Sequence, residues 1–141
     1  MPVLPEHVGR IYGPGEPYTV TASALADFAT LLGYTDAVCA SGQSASPTFA
    51  MTQTFSGILA LVADPDVQLK LSHVVHSDQS FDLARPFQPG DVLRTSTEIE
   101  SVKPFAGNTL VALRSLVVDE QGETLCDALA TIVVKPDSAD A

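Results

Sequence analysis

The 141 residues carry 7 basic and 17 acidic side chains, a formal net charge of −10. That balance argues against a nucleic-acid or anionic-membrane partner, because phosphate contacts need clustered Lys and Arg. The length suits one domain spanning 1–141, with a core at about 8–135, and a 45% hydrophobic content favours an oligomer with a buried face.

Residues 1–16 hold Pro2, Pro5, Pro14 and three glycines, and read as an irregular lead-in. Residues 17–20 form a short edge strand. Thr21 precedes an amphipathic helix whose Leu25, Phe28, Ala29 and Leu32 fall at i, i+3, i+4 and i+7, and Gly33 ends it. A loop of small residues follows, up to Ser46. Residues 46–62 then contain no charged side chain and read as a second helix, with Ser46 as its cap, Pro47 at its first position and Asp64-Pro65 closing it. A helix apolar on nearly every side belongs in a core. At about 15 residues it is too short for a good membrane span.

Beyond Asp66 the pattern changes to period two. Residues 69–76 hold a turn and the start of a strand, 79–85 alternate, and Pro86-Phe87-Gln88-Pro89-Gly90-Asp91 is a turn. Three long runs close the chain, at 91–103, 108–119 and 124–135. The first two are joined through 104–107 and the last two by a hairpin at Glu120-Gln121-Gly122-Glu123. Leu110, Ala112, Leu116 and Val118 make the second face of the middle run apolar too, so the sheet is expected to be covered on both sides, one of them by a second subunit. The tail at 136–141 is expected to fray. A long apolar helix followed by a meander of antiparallel strands is the layout of an α+β hot-dog fold, a single domain with the sheet wrapped around the helix.

Cys39 and Cys126 make no metal-ligand pair by spacing, and two cysteines are too few for a disulfide scaffold. His7, His73 and His76 fall in no H-x-x-x-H pattern, so neither metal nor cofactor is expected. The start Met-Pro-Val-Leu-Pro-Glu-His lacks a basic and an apolar region of the export type, and a cytoplasmic protein is expected.

Ala45-Ser46-Pro47-Thr48-Phe49-Ala50-Met51, Val75-His76-Ser77-Asp78-Gln79-Ser80-Phe81, Arg85-Pro86-Phe87-Gln88-Pro89-Gly90-Asp91-Val92-Leu93 and the Asp119–Glu123 hairpin occur in an order that resembles the MaoC-like hydratase/dehydratases. Within that family the chain is similar to the amino-terminal, fatty-acid-synthase-like dehydratase type. That type includes the non-catalytic subunits of mycobacterial (3R)-hydroxyacyl-carrier-protein dehydratases. The resemblance implies reversible addition of water across a 2-enoyl thioester, which needs a carboxylate beside an imidazole. It also implies a backbone N–H at a helix start to polarise the thioester carbonyl. Catalytic members carry these side chains in a G-D-x-N-P-x-H loop. Here Gly33 takes the glycine place, Tyr34 the Asp, Asp36 the Asn, Ala37 the Pro and Cys39 the His. The resemblance therefore implies no catalytic residue of its own and a pocket-forming subunit, completed by a partner hot-dog that supplies Asp and His. The alternative is a homodimeric acyl-CoA or acyl-carrier-protein binding module without chemistry. A hot-dog thioesterase would need a carboxylate near the central helix, which has none.

Thr48, Phe49 and His76 are the candidate substrate-binding residues, the first two at the helix entry and the third lining the acyl pocket or pairing with Asp78. Helix capping, core packing and a hydrogen-bonded strand-end histidine explain the same residues without a ligand. Asp36 with Cys39 reads either as a substitute acid–base pair or as a turn residue and a small buried hydrophobe. Arg85 reads as salt-bridged within its turn. Phe55, Ile58 and Leu59 read as core or partner-helix contacts.

Overall fold

The structure, a computed structural model, describes Val3 and residues 5–136. Apart from Pro136, the tail expected to fray lies outside the described residues. The lead-in is less irregular than its prolines and glycines imply. A 3-10 turn at Pro5–His7 leads to a two-residue strand β1 (Ile11–Tyr12), and β2 (Tyr18–Thr19) forms where an edge strand was expected. Both pair antiparallel with β4 (Val92–Phe105), β1 at Thr97 and Glu98 and β2 at Val92 and Leu93. Pairing with a long strand supplies partners that local sequence does not reveal.

Helix α1 (Ala22–Leu32) follows its signals closely. Thr21 Oγ1 accepts from Ala24 N–H at 3.2 Å, and Gly33 ends the helix at φ 80°, a left-handed position that glycine enters without strain. Leu25 and Ala29 are buried and Phe28 half-buried, while Leu32, expected on the same stripe, is exposed. The loop after Gly33 is not wholly irregular. Asp36 Oδ2 accepts from Cys39 N–H at 3.1 Å and starts a one-turn helix, α2 (Ala37–Ala40).

The central helix is shorter than expected. It begins at Met51 rather than at Ser46, runs as α3 (Met51–Ala63), and ends at Asp64 as expected. Residues 46–52 form overlapping turns instead, with Phe49 N–H on Ser46 O, Met51 N–H on Thr48 O and Thr52 N–H on Phe49 O, each at 3.0–3.1 Å. These three-residue bonds satisfy the first amides before an α-helical ladder starts, so Ser46 caps nothing and its Oγ has no partner.

A 3-10 turn at Leu71–His73 enters β3 (Val74–Leu83), and β4, β5 (Asn108–Val118) and β6 (Thr124–Val134) follow the three expected runs. The turn between β3 and β4 is closed by a two-pronged ion pair, Arg85 Nη1 and Nη2 each 2.9 Å from an Asp91 carboxylate oxygen, and Gln88 N–H also bonds Asp91. The sheet order is β1-β4-β5-β6-β3, every pairing antiparallel, so β3 forms one edge of the sheet.

Helix α3 packs on β4 and β5. The closest approach is at Gly57, where an added Cβ would lie 2.2 Å from Thr97 Oγ1. A glycine inside a helix costs about 1 kcal/mol relative to alanine. Here that cost is accepted because a bulkier residue would strike the sheet. Thr97 cannot easily move aside, since its hydroxyl is bonded to Ser115 Oγ at 2.7 Å in the core.

The core has two parts. Ile58, Leu61, Val67, Leu69, Ile99, Val111, Leu113 and Ile132 pack under the second half of α3. Val20, Leu25, Phe49, Phe87, Leu93, Val117, Leu125 and Cys126 pack around α1 and the turns before α3. Fully burying a Leu- or Phe-sized side chain contributes roughly 1.5–3 kcal/mol. The helix is nonetheless not enclosed within this chain. Thr54, Gly57, Ile58 and Leu61 are buried, Phe55 is half-buried, and Leu59 stays 47% exposed on the opposite side with Thr52, Ser56 and Ala63. No helix among the described residues is long and apolar enough to cross a membrane.

Candidate functional site

A cavity of about 570 Å³ lies between α1 and the first turns of α3. Ala24, Asp27, Phe28 and Leu31 reach it from α1, Thr52, Gln53 and Ser56 from α3, Gly15 and Glu16 from the β1–β2 connection, Tyr18 from β2 and Thr95 from β4. Phe49 forms its floor. It is the one fully buried lining residue, at 3% exposure, while Glu16, Asp27, Leu31, Thr52 and Ser56 stand exposed around it.

The polar wall mixes acceptors with two donors, the Gln53 amide, which donates to Thr52 Oγ1 at 3.3 Å, and the Tyr18 hydroxyl. Thr52 Oγ1 donates to Phe49 O and Ser56 Oγ to Gln53 O, both at 2.7 Å. Their protons are thus committed to the helix backbone, and their oxygens have lone pairs left to offer. Among the described residues two carboxylates, Glu16 and Asp27, share the lining, and no imidazole or basic side chain does. A carboxylate without a proton-transfer partner is half of what hydration of a double bond requires.

The loop after α1 does not supply the other half, since none of its residues lines the cavity. Tyr34 and Cys39 are half-buried, and Tyr34 N–H closes the end of α1 on Ala29 O. Asp36 acts as the cap of α2, and bonding to Cys39 holds its carboxyl below the ordinary range. The Cys39 thiol moves the other way, raised first by desolvation and then by Asp36. A nucleophilic cysteine needs a lowered value. The turn-and-cap reading of this pair is the one its geometry supports.

Of the three expected substrate contacts, the structure brings one to the cavity. Phe49 is its floor; Thr48, exposed one residue earlier, is not in the lining. His76 sits at the β-bulge of edge strand β3, exposed, with Nε2 at 2.9 Å from Gln79 Oε1 rather than paired with Asp78. Glu16, Tyr18 and Asp27 are lining residues that pattern reading passed over. Asp27 carried a signal, as the one charged residue of α1. Among the described residues no three His, Cys, Asp or Glu side chains converge as a metal site.

A second, smaller cavity of about 120 Å³ lies behind the first turns, lined by Ala45, Ser46, Pro47, Ala50, Leu83, Pro86 and Phe87. Phe49 stacks edge-on with Phe28 at 5.3 Å on the side of the large cavity and with Phe87 at 6.4 Å on the side of the small one. Each aromatic pair of this kind adds about 0.5–1.5 kcal/mol beyond area burial.

Residues 6–128 match the family model described as the FAS1-like dehydratase domain region. A UPF0336 protein of Streptomyces coelicolor is 38% identical over 138 residues, covering 91% of this chain and 92% of that one. Among solved structures, the C-terminally truncated HadBC complex of Mycobacterium tuberculosis, a 3R-hydroxyacyl-ACP dehydratase, aligns at TM-score 0.76 and 21% identity over 89% of this chain and 96% of the other. The ChsH1-ChsH2 complex of the same organism aligns at TM-score 0.65 and 12% identity, over 91% and 98%. At such identities the structural matches speak for the fold.

Proposed function

We propose a function from one premise: this chain belongs to the FAS1-like dehydratase family, in the MaoC-like hot-dog fold. Its role is that of a pocket-forming, catalytically incomplete subunit of an (R)-specific 2-enoyl-thioester hydratase or 3-hydroxyacyl-thioester dehydratase, working in the cytoplasm. A partner hot-dog subunit supplies the Asp and His. The observation that carries this reading is a 570 Å³ cavity with an aromatic floor and no imidazole. The resemblance adds that the two acid–base places of the loop after α1 hold Tyr34 and Cys39, neither of which lines the cavity.

The surfaces a partner needs are present. Among the described residues, edge strand β3 pairs on one side alone, leaving the other to extend the sheet, and the face of α3 around Leu59 is uncovered. Two of the structures it is similar to, HadBC and ChsH1-ChsH2, are complexes of two named components. In this reading the cavity holds the acyl group, and the partner's imidazole and carboxylate add water across the double bond. Thr48, at the entry to the turns, and His76, on the pairing edge, are assigned to the rim that meets partner and thioester.

The lone chain should not hydrate crotonyl-CoA, measured as loss of enoyl-thioester absorbance, and activity should appear on mixing with a hot-dog partner bearing Asp and His. Leu59→Lys should keep the fold and abolish that rescue. Turnover by the lone chain would overturn the reading. A stable homodimer that binds acyl-CoA and gains nothing from any such partner would replace it with a binding module. Glu16 and Asp27 beside the cavity give a thioesterase its one foothold, and acyl-CoA hydrolysis is the assay for it.

A further inference from the structure

We infer that Phe49 is the internal stop that sets how long an acyl group the large cavity accepts. The inference rests on the reading of that cavity as an acyl site and goes beyond it by naming the residue that limits the substrate. Among the described residues Phe49 is the one lining residue that is fully buried, so a chain entering past the exposed residues ends against its ring. The ring is held from three directions. Phe28 and Phe87 pack edge-on against it from opposite cavities. Its backbone is pinned by N–H to Ser46 O at 3.1 Å and by its carbonyl, which accepts both Thr52 N–H at 3.0 Å and Thr52 Oγ1 at 2.7 Å. A side chain so placed acts as a fixed wall, not a mobile lid.

Behind the wall there is room. The 120 Å³ cavity that Phe87 helps to line is bounded almost wholly by apolar groups, with the unpartnered Ser46 hydroxyl as the exception. Shortening Phe49 adds the volume of its own ring to the large cavity and brings the Phe87 wall, and the small cavity it helps to line, within reach. Enlarging Phe49 takes depth away. The stop therefore predicts opposite shifts for opposite changes in size, which general damage to the core does not produce.

The test is a titration of straight-chain 2-enoyl-CoA thioesters, from crotonyl-CoA upward, against the purified chain in its own oligomeric form. Wild type, Phe49→Leu, Phe49→Ala and Phe49→Trp are compared, with the fold of each checked by circular dichroism. Phe49→Leu should lengthen the longest chain bound tightly and Phe49→Ala should lengthen it further. Each two methylenes newly admitted should improve Kd about tenfold. Phe49→Trp should shorten the limit. If Phe49→Ala does not fold, the opposite shifts of Phe49→Leu and Phe49→Trp decide the matter. An unchanged length limit in folded variants overturns the stop and leaves the acyl site standing. Failure of wild type to bind any thioester overturns the acyl site and the stop together.

Discussion

The two ends of α3 are finished in opposite ways. At the carboxyl end both oxygens of the Asp64 carboxylate are bonded at short range. Asp64 Oδ2 accepts from Tyr12 OH at 2.7 Å and Arg10 Nη1 at 2.8 Å, and its Oδ1 accepts from Asp66 N–H at 2.9 Å. That latch ties the lead-in to the helix and the core beneath it. At the amino end Ala50 occupies the cap with no side-chain bond, Ser46 Oγ is buried without a partner, and two cavities flank the turns. The bonded Asp64 carboxylate makes one end a structural anchor. At the other end two cavities and an unpartnered hydroxyl leave volume and hydrogen-bonding capacity unused.

The sharpest way to break this comparison is to disturb what both ends share. Gly57→Val at the helix crossing should destabilise the whole chain by about 3 kcal/mol or more, read from urea unfolding, because its Cβ would collide with the bonded Thr97–Ser115 pair. A loss below about 1 kcal/mol would mean that the helix lifts from the sheet without cost.

The anchor can then be tested alone. Tyr12→Phe should cost about 1 kcal/mol, the net worth of one partly exposed hydrogen bond, and leave acyl-CoA binding at the other end unchanged. Its pH signature follows from two displaced groups. Asp64 is held at about 2, first by the Tyr12 hydrogen bond and then by Arg10. Its contribution is complete above the ordinary carboxylate range near 3.8 and is lost as pH falls towards 2. Tyr12 is pushed up to about 12, first by burial and then by Asp64. The folded state favours the neutral phenol, so this contribution is present below pH 10 and is lost as pH rises towards 12. Thermal melts across pH should show both losses in wild type. In Tyr12→Phe the alkaline loss should vanish and the acid loss shrink.

The smallest effect separates the amino end from an ordinary helix start. Ser46→Ala should change stability by no more than about 0.5 kcal/mol, or raise it, because the hydroxyl it removes has no partner. Loss of a working cap would cost about 1 kcal/mol, and a measured cost of that size would restore Ser46 to the role its sequence position implies.

Much of the fold could be read locally. Thr21 and Gly33 delimit α1, and the three alternating runs became β4, β5 and β6 with ends shifted by at most two residues. Those features depend on groups a few residues apart. The start of α3 depended on more distant ones: Ser46 and Pro47 suit a helix start, yet Ala45 N–H is taken by Phe87 O at 2.8 Å, holding the entry in turns. The same holds for the site. Phe49 was legible as a residue at the helix entry. Asp27 was legible only as the one charge on α1, and Glu16 and Tyr18 not at all, because the cavity forms where the β1–β2 connection meets α1.

The sequence by itself determined α1, the apolar central helix, the closing strands and with them the hot-dog arrangement, since periodicity and turn residues are properties of the chain. Tertiary structure alone decided which side of α3 is left bare, that Phe49 closes the cavity floor, and that Asp64 is the anchor of the opposite end. Each of those outcomes depends on groups far apart in sequence meeting across a packed core, and no local pattern encodes such meetings.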